Sequence, residues 1–192
     1  GRIVARFDDV PTGLGAERVD MGGRIVVPGL WDAHYHTLHV GNLERQLDLR
    51  GVESVRALCD AVRARTATSA PGSWIEGRGW DEERCAGNLP TAALLERAAP
   101  QHPVWLTRYD GHAVCLNERA LGLCNVQGID GLAGGVVDKD TEGRPTGILL
   151  DRAVDHARKA LPPRSDAEIK EALRLGLEHA RAMGLCGVHD MG

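Results

Sequence analysis

The stretch VVPGLWDAHYHT, residues 26–37, runs an apolar segment through a Pro-Gly step into one aspartate and two histidines. Side chains of a strand alternate between its two faces, so Asp32, His34 and His36 share one face. At a Cα separation of roughly 6.5–7 Å, two imidazole nitrogens can converge on one ion at about 2.0–2.1 Å. The stretch therefore predicts a strand that ends in half of a divalent-metal site, with His34 and His36 as ligands.

The same H-x-H pattern also fits two partly exposed polar residues where a strand frays into a loop. The apolar approach, an aspartate on the same face and a third histidine at position 39 favour the metal site. Asp32 is then expected to contact a ligand histidine without binding the metal, and so to orient it. In α/β barrels, catalytic side chains sit at the C-terminal ends of strands, which is where these residues fall.

Composition narrows the class of protein. The 192 residues are 43% hydrophobic and 26% charged, which is typical of a globular chain with a real core. A net charge of -4 offers no basic surface for nucleic acid or an anionic membrane, and no segment approaches the roughly 18 apolar residues that span a bilayer. A small-molecule partner is expected, and assembly into a homo-oligomer stays open.

The five cysteines are odd in number and never form a C-x-x-C pair. This pattern indicates neither a disulfide framework nor a thiolate zinc site, and it favours free thiols in a reducing cytoplasm.

Strand-like and helical segments alternate along the chain, which predicts an α/β fold with a parallel component. Helices are predicted over residues 54–66, 91–99, 113–124, 151–161 (ended by two prolines) and 165–183, the last with a Ser165–Glu168 capping box. Strands are predicted in two runs within residues 1–28, at the H-x-H stretch, and over 73–82, 103–111, the hairpin 134–150 and 185–190.

VVPGLWDAHYHT resembles the first-strand signature of the amidohydrolase superfamily, P-G-hydrophobic-x-D-x-H-x-H. Further segments resemble, in order, the amidohydrolase family 3 branch, which includes N-substituted formamide deformylase-like proteins: WIEGRGWDE, LPTAALLERAAPQHPVWLTRYDGHAVCLN, GRPTGILLD and AMGLCGVHDMG.

The resemblance implies a (β/α)8 TIM-type barrel preceded by a small β-sandwich. It implies one or two divalent metals, zinc above all, held by the H-x-H pair after strand 1, a carboxylated lysine or acid after strand 4, and histidines after strands 5 and 6. An aspartate after strand 8 is implied as the base. Of these positions, only His34 and His36 have matches in this chain.

On that pattern the chain is a partial barrel. The implied division is 1–28 as partial β-sandwich strands, 29–41 as the first barrel strand and metal loop, 42–163 as an inserted α/β segment, and 164–192 as a barrel helix and the second barrel strand. A complete barrel takes about 250 residues before insertions. The base and the remaining ligands are therefore expected beyond residue 192, in a C-terminal part that is the expected partner of this one.

Three further residues are candidates for a substrate pocket. His112 follows a strand and an Asp-Gly turn, where it can line a pocket beside Asp110 or begin a helix and bond locally. Trp80 can form an apolar wall of a cleft, or be a core residue as such tryptophans more often are.

The resulting hypothesis is a metal-dependent hydrolase of a non-peptide C–N bond in an amide, formamide, ureide or cyclic imide. Alone, the chain is expected to be inactive. The alternatives are a non-catalytic α/β fragment or binding module with structural histidines, and, within the family, a deaminase.

Overall fold

Within residues 19–129 and 131–192, which the computed structural model describes, eight strands and six α-helices follow one another along the chain. The strands are β1 (Leu30–Tyr35), β2 (Leu47–Asp48), β3 (Ile75–Trp80), β4 (Val104–Arg108), β5 (Ala113–Leu116), β6 (Gly135–Lys139), β7 (Pro145–Asp151) and β8 (Leu185–Asp190). The helices are α1 (Thr37–Arg45), α2 (Val55–Thr66), α3 (Ala92–Ala98), α4 (Glu118–Leu123), α5 (Arg152–Arg158) and α6 (Asp166–Ala182). The predicted α/β class is confirmed. In these two ranges, no helix is long and apolar enough to cross a bilayer.

The strands form two separate sheets. β1 and β8 pair in parallel, with Leu30 opposite Leu185 and Tyr35 opposite Asp190. The other strands form a six-stranded mixed sheet in the order β2-β3-β4-β5-β7-β6, parallel from β2 to β4 and antiparallel beyond. All six lie inside the segment 42–163 that the resemblance assigns to an insertion. The division into domains stays a prediction.

The centre of the six-stranded sheet is buried on both faces. Along β4, Val104 and Leu106 join one apolar cluster with residues of α2 and α3, whereas Trp105 joins a second cluster with residues of α4 and α5. This is the period-two alternation of a strand covered on both sides. All five cysteines are free, as predicted, and burial raises the pKa of Cys124 to about 11.

Local capping signals place several helices where the sequence predicts them. Ser54, Thr91 and Ser165 each accept a hydrogen bond from a first-turn N–H of the helix that follows, and Ser165 forms the predicted capping box with Glu168. The helix predicted over 113–124 is wrong in its first half, because β5 occupies Ala113–Leu116. β5 pairs with β4 and β7 and is buried throughout, so tertiary pairing outweighs helix propensity.

Of the two strands predicted within residues 1–28, only the second falls on described residues, and it is not formed there. Residues 19–29 contain a turn at Gly22-Gly23 but no strand, and the side chains of Ile25, Val26 and Val27 are exposed. Without a neighbouring strand to pair with, an apolar run has no sheet to join. The first predicted strand, at residues 1–9, lies outside the described residues, and the β-sandwich stays a prediction.

Helices α1 and α6 pack so closely that glycine is required at their contact. A Cβ added at Gly41 would lie 1.6 Å from a carbonyl oxygen of α6, and one added at Gly176 would lie 2.1 Å from that of Thr37. The Tyr35 hydroxyl donates a 2.9 Å hydrogen bond to the Gly176 carbonyl, and burial raises the pKa of Tyr35. This contact fixes the junction of β1 and α1, where His36 lies.

Candidate metal centre

The rings of His34 and His36 converge at the C-terminal end of β1. Their Nε2 atoms are 3.2 Å apart, and the rings meet edge to face with centroids 5.0 Å apart. Two nitrogens that each lie about 2.0–2.1 Å from one ion at the tetrahedral angle are about 3.3–3.4 Å apart. The pair therefore has the spacing of two ligands of a single ion.

Main-chain contacts decide which nitrogen of His36 is free to bind. Its Nδ1 lies 3.1 Å from the carbonyl oxygen of Gly192. Because a carbonyl oxygen can only accept, Nδ1 carries the ring proton and donates a hydrogen bond to it. The Nε2 lone pair is then directed at His34. Two arrangements satisfy both Nε2 atoms: His34 donates a hydrogen bond to His36, or the two lone pairs share one cation.

Asp32 acts on the backbone of a candidate ligand rather than on its ring. Its carboxylate accepts a 2.9 Å hydrogen bond from the main-chain N–H of His34. The pairing of β1 with β8 is irregular between Asp32 and Tyr35, the stretch that contains His34. Asp32 therefore helps to fix the backbone from which the His34 ring projects.

Asp190 connects the end of β8 to the start of α1. Its carboxylate accepts a 3.2 Å hydrogen bond from the Thr37 N–H, which lowers the pKa of Asp190. The N-cap residue of α1 is His36, whose own side chain makes no capping bond. An acidic side chain near a helix N-terminus is stabilising. Asp190, at the end of the paired strand β8, therefore supplies the capping bond that the His36 side chain does not make.

Among the described residues, no third ligand joins the two histidines. Within residues 19–129 and 131–192, no group of three or more His, Cys, Asp or Glu side chains is arranged to hold an ion. A catalytic zinc typically takes three protein ligands and a water. The spacing of His34 and His36 fits two of the ligands of such an ion.

The pocket candidates Asp110 and His112 lie in the turn between β4 and β5. Asp110 accepts two hydrogen bonds from the Arg108 guanidinium, at 3.1 and 2.8 Å, and one from the His112 N–H, and the Arg108 bonds lower the pKa of Asp110. His112 begins no helix; its exposed ring places Nδ1 3.3 Å from the Asp151 carboxylate. Asp151 has φ of +52°, a strained conformation for a residue other than glycine.

Trp80 lies in the core and not on a cleft wall. Its side chain is 1% exposed in the cluster beneath α2 and α3, and its indole N–H donates a 2.9 Å hydrogen bond to the Leu106 carbonyl. A buried indole needs such a partner, so the residue's polar atom is satisfied by the sheet itself.

Residues 17–192 match the model of a known family, described as the amidohydrolase family. The chain belongs to this family. The family match includes both β1 with its histidine pair and β8, the two strands that form the candidate site.

Two relatives and one solved structure show what share of a longer protein's length this chain matches. It is 35% identical to Protein LONG AFTER FAR-RED 3 of Arabidopsis thaliana over 94% of this chain and 31% of that protein. It is 27% identical to N-substituted formamide deformylase of Arthrobacter pascens over 91% and 34%. A crystal structure of an uncharacterized metal-dependent hydrolase from Pyrococcus furiosus matches with 26% identity and a TM-score of 0.60, over 86% of this chain and 32% of that one. The chain thus spans about a third of the length of each of these proteins.

Two residues of the site region are absent from the sequence prediction. For Asp190 the sequence offers a usable signal, because an acid stands at the end of a predicted strand. Asp151 has no signal, because its positive φ and its contact with His112 arise from the hairpin register.

Proposed function

We propose that this chain is the N-terminal part of a metal-dependent hydrolase that acts on non-peptide C–N bonds, with His34 and His36 as two of its metal ligands. The observation that carries the proposal is the 3.2 Å separation of the two Nε2 atoms at the end of a parallel strand. Membership of the amidohydrolase family and the similarity to a metal-dependent hydrolase from Pyrococcus furiosus support it.

The residues of this chain prepare the half-site before any ion binds. The Gly192 carbonyl accepts a hydrogen bond from Nδ1 of His36, and the Asp32 carboxylate accepts one from the main-chain N–H of His34. The Asp190 carboxylate accepts one from the N–H of Thr37, the first residue of α1. Such outer contacts orient ligand rings and fix their tautomers. A divalent ion such as zinc, when bound, supplies Lewis acidity that lowers the pKa of a water towards about 7 and polarises a carbonyl.

The substrate class in the proposal is an amide, formamide, ureide or cyclic imide. It is supported by the family's name and by the similarity to a protein named N-substituted formamide deformylase. This chain matches about a third of its relatives' length. The remaining ligands and the base are proposed to lie in a segment that corresponds to the unmatched two thirds, and that segment is the proposed partner of this chain.

We further propose that β1 and β8 are the first two strands of a (β/α)8 barrel, with the six-stranded sheet inserted between them. Their parallel pairing supports this, as does the exposure of Leu30 and Trp31 on β1, at 61% and 64%. Large apolar side chains on a barrel strand are ordinarily covered by the surrounding elements.

A second candidate function rests on the same distance. A separation of 3.2 Å also fits a hydrogen bond between two neutral histidines, in which case the pair is structural and the chain is a non-catalytic α/β module. The two candidates differ in whether an ion is held.

Elemental analysis of purified protein separates them. We expect this chain to bind zinc weakly and the longest natural version of it to bind zinc stoichiometrically. In both forms, His34→Ala and His36→Ala should lower zinc affinity by more than about tenfold. His156→Ala, on α5, is the matched control and should leave zinc content unchanged. Zinc content that is the same in all three variants, or absent from the long form, would refute the metal site.

A further inference from the structure

A cleft of about 400 Å³ lies between α1 and the six-stranded sheet. It is lined by His39 of α1, by Arg78 of β3, by Trp105 and Thr107 of β4, and by Arg158 and Arg164 beyond β7. This volume is in the range of small-molecule sites. His39 is three residues beyond His36, so the cleft begins about 4.5 Å further along the axis of α1 than the histidine pair.

The charge in this cleft is positive and only partly compensated. Glu76 is bound by Arg164, whose nitrogen lies 2.7 Å from both carboxylate oxygens. Arg78 is half-buried, and among the described residues its side chain makes one hydrogen bond, a long one of 3.4 Å to the Tyr109 carbonyl. The guanidinium of Arg158 stacks over the Trp105 ring at 5.5 Å and forms no ion pair with the described residues.

Thr107 adds a neutral donor beside Arg78. The two residues are directly opposite each other in the β3–β4 register, and both line the cleft. The Thr107 oxygen accepts a 3.1 Å hydrogen bond from the Trp105 indole, which leaves the hydroxyl hydrogen to be donated. A guanidinium and a hydroxyl on neighbouring strands form a donor set for an anion with two oxygens.

We propose that this cleft binds the carboxylate of a small-molecule ligand through Arg78 and Thr107. Arg158, which also lines the cleft, adds positive charge, and the indole of Trp105 holds the Thr107 hydroxyl in place. Binding of the carboxylate stands on this cleft alone; that the carboxylate belongs to the hydrolase substrate rests on the proposed function.

The test uses a matched pair of probes, hippurate and its neutral amide hippuramide, titrated into this chain by calorimetry in the presence of a chelator. Hippurate should bind more tightly than hippuramide by about tenfold or more, since a charge-assisted contact is lost in the amide. Arg78→Gln should remove that preference. Arg56→Gln, which removes the same charge from a side chain that is 93% exposed on α2, should keep it.

Thr107→Val keeps the shape of the side chain, removes only the hydroxyl and should weaken hippurate binding by a few fold; it decides the question if Arg78→Gln fails to fold. Equal binding of the two probes, no saturable binding of hippurate, or equal effects of Arg78→Gln and Arg56→Gln would overturn the proposal. Tighter binding of inorganic phosphate than of hippurate would overturn the assignment to a carboxylate. The His34→Ala/His36→Ala double variant should still bind hippurate, so failure of the metal site and failure of the carboxylate site give different results.

Discussion

Replacement of Gly176 by alanine should destabilise the protein by forcing α1 and α6 apart. The added Cβ would lie 2.1 Å from the Thr37 carbonyl oxygen and 3.1 Å from the Thr37 Cγ2. An ordinary contact needs more than 3 Å, so the helices must separate locally by about 1 Å or distort, and overpacking of this kind costs about 1–3 kcal/mol. The shift also strains the 2.9 Å hydrogen bond from Tyr35 to Gly176, which contributes about 1 kcal/mol.

Alanine has an opposing effect, because it favours a helix over glycine by up to about 1 kcal/mol. The net expectation for Gly176→Ala is a loss of about 1–3 kcal/mol in the free energy of unfolding, or a fall in Tm of about 2–4 °C per kcal/mol for a chain of this size.

Gly122→Ala isolates the propensity effect. Gly122 lies in α4, and nothing comes within 4 Å of an added Cβ there. This variant should be as stable as the unsubstituted chain or more stable, by up to about 1 kcal/mol. Both variants are measured by denaturant unfolding followed by circular dichroism. If Gly176→Ala proves as stable as Gly122→Ala, the close contact of α1 and α6 is wrong.

Two further predictions concern polar contacts away from the site. The capping bonds from Ser165 and the bond from Arg45 lower the pKa of Glu168 from 4.5 to about 2. Glu168→Gln should therefore cost stability above pH 4.5, by at most about 1 kcal/mol for this partly exposed group. The difference from the unsubstituted chain should shrink below pH 4.5 and vanish below about pH 2, where the carboxyl is protonated in both the folded and the unfolded state. Urea titrations at several pH values that show no such convergence would contradict this. Asn117 is fully buried; its side-chain oxygen accepts hydrogen bonds from the Val104 and Ala120 N–H groups, and its side-chain nitrogen donates one to the His102 carbonyl. Asn117→Ala should therefore lower the free energy of unfolding by about 2–4 kcal/mol. A loss below about 1 kcal/mol in the same assay would show that water replaces the side chain.

Local sequence signals predict those parts of the fold that are decided locally. Ser54, Thr91 and Ser165 mark helix starts, because a side-chain oxygen that satisfies a first-turn N–H acts over three residues. The sequence does not predict helix α1, because TLHVGNLER has a central glycine and no side-chain cap. The helix forms because Gly41 lets it lie against α6 and because Asp190 at the end of β8 caps its first turn. Both contacts join residues more than 100 positions apart.

The candidate site divides in the same way. His34 and His36 could be found because period-two alternation within one strand already places both rings on one face. The pairing of Arg78 with Thr107 could not, because it depends on the register between β3 and β4. Trp80 was ambiguous for a related reason: a tryptophan near the end of a strand suits a cleft wall or a core, and only the packing of α2 and α3 decides.

Helix α1 links the two sites proposed for this chain. His36 precedes its first residue, and His39 and Asn42 line the cleft one and two turns later. Partial burial lowers the pKa of His39, and the positive charge of Arg78 lowers it further. Because Asp190 holds one end of α1 and Gly176 seats it against α6, the distance from the histidine pair to Arg78 is set by helix packing rather than by a loop. A ligand that reached from the histidine pair to the cleft would therefore be selected for its length. On that reasoning, Gly176→Ala should weaken both zinc and hippurate binding, whereas Gly122→Ala should change neither.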